Sequence, residues 1–128
     1  MAGKRDIPVP RPLKGSEYEI FFGSASAERG WGDLKAVAKN ALADAHDYLR
    51  IHPALFDTSR CYRLKGDLAV VIVDGVELPQ WQYKVTDGAR IWYVVDEPTA
   101  KSKKHGRVVI TRAVTGHPNE TDSAKNFR

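Results

Sequence analysis

One cysteine, one methionine and no apolar run near the length of a bilayer span are what this chain of 128 residues has least of. A lone Cys61 has no second cysteine for an internal disulfide or a metal pair, so it is expected to be a packed small side chain and not a reactive thiol. A spanning helix takes about 18 to 20 apolar residues, and none of the runs approaches that. The opening MAGKRDIPVPRPLKG has basic residues but no hydrophobic signal core, so a cytoplasmic location is expected. Also missing are G-x-G-x-x-G, the P-loop, H-E-x-x-H and the nucleophile elbow. His46, His52, His105 and His117 lack the spacing of a metal cluster. Neither a metal nor a nucleotide cofactor is expected.

What is present fits one globular domain. The chain is 42% hydrophobic and 28% charged with ten glycines, far from disordered or collagenous composition, and its length suits one core. Lys and Arg number 20 against 16 acids, a net charge of +4 that favours polyanionic partners. The excess is uneven. KSKKHGR at 101–107 holds Lys101, Lys103, Lys104 and Arg107 with no acid, and the N-terminal stretch is basic as well. Runs of this kind are also what an ordinary solvated loop looks like.

Along the chain, Pro8, Pro10 and Pro12 favour an extended arm, and residues 1–15 are expected to be a flexible, basic, proline-rich leader. YEIFF at 18–22 reads as a first strand. Leu34, Val37, Ala38, Ala41, Leu42, Ala45 and Leu49 then form one apolar stripe, which predicts a helix over about 32–51 stopped by Pro53. SASAERGW before it can supply a short helical turn, with Trp31 as a staple at the helix start. DLAVVIV at 67–73 runs into Asp74-Gly75, a dipeptide suited to a tight hairpin. WQYKV (81–85), ARIWYVV (89–95) and RVVITRAV (107–114) complete a meander, and the tail over 122–128 is polar and expected to fray. The order β, α, β, β, β, β predicts an α+β fold, an antiparallel sheet with helices on one face.

Strand alternation sets Ile91, Tyr93 and Val95 on one face and Arg90, Trp92 and Val94 on the other. By the same rule Lys84 separates from Trp81, Tyr83 and Val85, and Arg112 from Val109, Thr111 and Ala113. Whether Arg90, Lys84 and Arg112 share a face depends on register. A guanidinium beside other cations binds phosphate bidentately; alternatively Arg90 pairs with Asp87 or Asp96, and His117 before Pro118 serves as a turn residue. Trp81 and Trp92 suit either base stacking or a core.

The order Leu64-Lys65-Gly66, Trp81 to Lys84, Arg90 to Tyr93, and Gly116-His117 resembles the RelE/ParE superfamily of bacterial toxins over most of residues 17–121. The resemblance implies an N-terminal strand and a helix or helical hairpin packed on a four- to five-stranded, mostly antiparallel sheet. It also implies a domain over 16–121 and a cognate antitoxin as partner. In the RelE branch such proteins cut mRNA on the ribosome; in the ParE branch they poison DNA gyrase. On the RelE reading Arg90 holds the scissile phosphate, Lys84 and Arg112 add positive potential, and His117 exchanges a proton. Arg63, Lys65, Lys101, Lys103, Lys104 and Arg107 are the expected nucleic-acid contacts. Non-enzymatic partner docking by the same fold is the alternative. Lys84 is the one cation on its strand, and Pro118 stands where a last basic residue is usual.

Overall fold

The computed structural model describes residues 6–57, 59–98 and 105–116. Strand β1 (Glu19–Phe22) leads into helix α1 (Ala25–Val37), which begins where the Ser24 hydroxyl accepts a hydrogen bond from the Ala27 amide at 3.1 Å. Helix α2 (Lys39–Ile51) follows after a single non-helical residue, Ala38, at φ −147° and ψ 51°. The single helix that the apolar stripe predicts is therefore two. Its periodicity hid the break because Leu34 and Leu42, on either side, both face the same sheet and are buried. Val37, which the stripe included, is 71% exposed. Trp31 is not a helix-start staple but sits mid-helix, its ring edge-on to Phe22 of β1 and to His46 of α2.

The remaining elements are β2 (Cys61–Arg63), a 3-10 turn (Gly66–Leu68), β3 (Val70–Val73), β4 (Val76–Lys84), β5 (Arg90–Asp96) and β6 (Arg107–Val114). Among the described residues the short β2 brings the sheet to six strands. Their order is β1-β6-β5-β4-β2, with β1 parallel to β6 and the other pairs antiparallel, while β3 pairs with the first half of β4. Asp74 and Gly75 close the β3–β4 hairpin at φ 53° and 81°, the left-handed region their residue types tolerate.

Both helices cover one sheet face. Leu34, Leu42, Ala45 and Leu49 pack there on Cys61, Tyr83, Ile91, Tyr93, Val108 and Ile110, the main core. Gly30 lets α1 approach so closely that a Cβ on it would fall 1.9 Å from the Ala113 carbonyl oxygen. On the opposite face, Leu78, Val94 and Val109 form a second, smaller core with Val71 and Val73. The hairpin curls across that face far enough for Asp74 to reach Arg107, two strands away, at 3.6 Å. It covers one end of the face and leaves the end around Lys84 and Arg90 beyond it.

A register shift lies opposite Trp92 and Tyr93, which pair with Arg112 and Ile110 and leave Thr111 as the extra residue. Plain alternation fails there. Val109 and Thr111 share the face of Arg112, contrary to the sequence reading, because the bulge inserts one residue between Ile110 and Arg112. The Thr111 hydroxyl holds the bulge by donating to Gln80 Oε1 at 2.5 Å.

The extended N-terminal segment is tied down at Arg11, whose guanidinium makes two hydrogen bonds to the buried Glu17 carboxylate, at 2.9 and 3.1 Å. Arg50 of α2 approaches the same carboxylate at 3.5 Å, and the Lys14 amide donates to it at 2.7 Å. These partners, Arg11 foremost, hold the Glu17 carboxyl at a pKa of about 2.

Candidate nucleic-acid interface

Cross-strand pairing decides which cations meet. Lys84, Arg90 and Val114 stand directly opposite one another on β4, β5 and β6, and Gln82, Trp92 and Arg112 form the next row. Directly paired side chains are about 5 Å apart at Cβ and diagonal neighbours about 7 to 8 Å. The register thus collects Lys84, Arg90 and Arg112 on one face, the one opposite the helices.

Their environments differ. Lys84 Nζ lies 3.8 Å from the carboxylate of Asp87, a fully exposed partner that screens it weakly. The Arg112 guanidinium stacks over the Trp92 ring at 5.1 Å from its centroid. Arg90 is only 6% exposed, and its Nη1 donates to the carbonyls of Thr86 at 2.8 Å and Ala89 at 3.1 Å. Arg90 therefore braces the turn between β4 and β5, pairing with neither Asp87 nor Asp96 among the described residues. Its Nε is buried without a hydrogen-bond partner among those residues. A guanidinium anchored through Nη1 keeps its Nε side as the donor edge suited to a planar or tetrahedral oxyanion.

The other expected contacts are scattered. Arg63 pairs opposite Trp81, its guanidinium 6.0 Å from that ring, so it belongs to the helix-covered side of the sheet. Lys65 is exposed and precedes the 3-10 turn. Arg107 is on the cation face but at its far end, neutralised by Asp96 at 2.9 Å and Asp74 at 3.6 Å. Lys101, Lys103, Lys104 and His117 lie outside the described residues. Trp81 belongs to the main core, and Trp92 is buried on the cation face, so neither ring is open for base stacking.

Two side chains on this face, Gln82 and Tyr62, were not singled out from the sequence. Gln82 is fully buried between Tyr62 and Trp92, accepting from Trp92 Nε1 at 2.7 Å and donating to the Tyr62 hydroxyl at 2.6 Å. The signal for Gln82 was present: Gln80, Gln82 and Lys84 alternate with Trp81 and Tyr83, a polar row of period two inside an apolar strand. Beneath the sheet, the Tyr93 hydroxyl donates to the Pro53 carbonyl at 2.7 Å and meets Cys61 Sγ at 2.9 Å. Burial pushes both the Tyr93 phenol and the Cys61 thiol up, so neither ionises near neutral pH. Among the described residues no group of His, Cys, Asp and Glu could hold a metal ion, and no helix is long and apolar enough to cross a membrane.

Among solved structures, a YoeB/ParE toxin from Agrobacterium tumefaciens matches with a TM-score of 0.56 over 78% of this chain and 99% of its own, at 14% identity. The fold is a RelE/ParE toxin fold. No family model and no curated protein matches the chain. In the RelE/ParE fold seen here, the helical hairpin takes one face of the sheet and the three cations take the other.

Proposed function

We propose that this chain is a toxin of the RelE/ParE kind, a cytoplasmic protein restrained by a cognate antitoxin. Its cationic sheet face engages ribosome-bound mRNA and promotes attack of a ribose 2′-OH on the adjacent phosphate. Supporting this reading is one observation above the rest: the register that collects Lys84, Arg90 and Arg112 on the side opposite the helices, where the buried Nε of Arg90 has no hydrogen-bond partner among the described residues. A buried N–H without a partner costs free energy, and an anionic ligand that displaces what encloses Arg90 would recover it. In the cleavage step the 2′-oxygen bonds to phosphorus as the bond to the 5′-oxygen of the next nucleotide breaks: Arg90 binds the scissile phosphate, Lys84 and Arg112 stabilise the added negative charge, and His117 takes the 2′-OH proton and returns one to the departing 5′-oxygen. No metal or organic cofactor enters this chemistry.

A second reading has its own support. Arg90 is nine-tenths buried and already donates to two carbonyls, which suits a structural brace. The same face would then dock a protein target, such as DNA gyrase, without cutting RNA.

Primer-extension mapping of cellular mRNA after induced expression separates the two. The nuclease reading expects cuts positioned within codons, reduced at least about 100-fold by Arg90→Ala, the loss typical of one transition-state donor. Growth arrest with DNA-damage signalling and intact mRNA would establish the second reading instead.

A further inference from the structure

The hydrogen-bond chain Trp92–Gln82–Tyr62 has a direction that its chemistry leaves no freedom to reverse. An indole Nε1 donates and never accepts. The 2.7 Å contact therefore fixes Gln82 Oε1 as the acceptor, and the amide cannot be flipped. Gln82 Nε2 must then donate across 2.6 Å to the Tyr62 hydroxyl oxygen. A hydroxyl that accepts from one side has its own proton turned elsewhere. Tyr62 is half-buried at the edge of the sheet, paired with Gln82 and therefore on the cation face. Lys84 is its diagonal neighbour there, about 7 to 8 Å away.

We propose that Tyr62 is a further ligand-contacting residue of the cation face. Gln82, polarised by Trp92, holds the phenol oxygen and directs its O–H toward a phosphate oxygen bound beside Lys84 and Arg90. Trp92 thus carries two tasks, fixing the direction of this chain with its N–H and supporting the Arg112 guanidinium with its ring. The inference rests on the nucleic-acid reading above and adds to it a neutral, oriented donor among the cations.

Binding of a short single-stranded RNA, 2′-deoxy at the cleavage position so that it is not consumed, tests this alongside mRNA cleavage. Tyr62→Phe removes only the hydroxyl and is expected to weaken binding about tenfold, the loss of one hydrogen bond to a charged group. Gln82→Glu keeps the shape but reverses the chain, since a carboxylate cannot donate and instead accepts a hydrogen bond from the Tyr62 O–H. Its added charge weakens binding by itself, so the readout is the Tyr62→Phe penalty within each background. That penalty is about tenfold in the wild-type background and absent in the Gln82→Glu background. Urea unfolding of each variant verifies that it folds, and Gln82→Met, neutral and unable to donate, should also shrink the penalty. A Tyr62→Phe chain that binds like wild type, while Arg90→Ala does not, overturns the inference and leaves the nuclease reading standing. Equal penalties in both backgrounds overturn the directional role of Gln82. A wild-type chain that neither binds nor cuts overturns this inference and the nuclease reading together.

Discussion

Two glycines of α1 should respond in opposite directions to the same substitution. A Cβ on Gly30 would lie 1.9 Å from the Ala113 carbonyl oxygen and 2.8 Å from its carbon, both part of the β6 backbone. Ordinary C···O contact begins at about 3.3 Å. Since the sheet backbone cannot yield as a flexible side chain would, α1 must lift by about 1.4 Å over Ala27 and Leu34. Overpacking of this kind costs about 3 kcal/mol at the upper end of the usual range. Alanine returns about 1 kcal/mol in helix propensity, so Gly30→Ala should destabilise by about 2 kcal/mol. For a chain of this size that lowers Tm by about 8 °C. Gly32 lies two residues on, exposed, with nothing within 4 Å of its Cβ position. There the propensity gain acts alone, and Gly32→Ala should stabilise by about 0.5 to 1 kcal/mol. Urea and thermal unfolding of both variants decide the matter. A Gly30→Ala chain as stable as wild type would refute the close contact between α1 and β6 on which the helix placement depends.

Three further outcomes follow from the buried polar groups. Tyr93→Phe strips the Pro53 carbonyl of its partner inside the core and should cost about 1 to 3 kcal/mol in urea unfolding; a neutral result would contradict the assigned bond. The Glu17 carboxyl titrates near 2 when folded, below its ordinary value of 4.5. Its stabilisation is therefore complete above about pH 4.5 and lost as pH falls through 2. Carboxyl NMR titration should find that low midpoint, and Arg11→Ala should raise it. Cys61, buried and with its thiol pushed up by that burial, should react with thiol reagents only after unfolding, so rapid labelling of the native chain would contradict its placement.

Much of the sheet was legible because its physics is local. The range 107–114 matches β6, and Asp74-Gly75 announced the hairpin through its tolerance of positive φ. Period-two alternation gave the faces of Arg90, Trp92 and Lys84 correctly. What escaped was non-local. The break at Ala38 leaves no compositional mark, since both helices bury their seams on one sheet and the i, i+3, i+4 spacing runs straight through. The bulge at Thr111 is a single extra residue whose lock, Gln80, lies two strands away. Three residues of β2 are too few for alternation to register, so Tyr62 went unremarked although it completes the row with Gln82, Trp92 and Arg112. The Arg90 environment was the least accessible, because its carbonyl partners come from the turn before it, and only coordinates reveal which guanidinium edge remains.

The central claim, that Lys84, Arg90 and Arg112 act together as a receptor for a nucleic-acid backbone, is tested most directly by the salt dependence of single-stranded RNA binding. Each phosphate neutralised on a single strand contributes about −0.7 to the slope of log K against log salt. Replacing all three cations by alanine should flatten the slope by about 2 and weaken binding most at low salt. A triple variant that folds and keeps both the affinity and the slope of wild type would contradict the account.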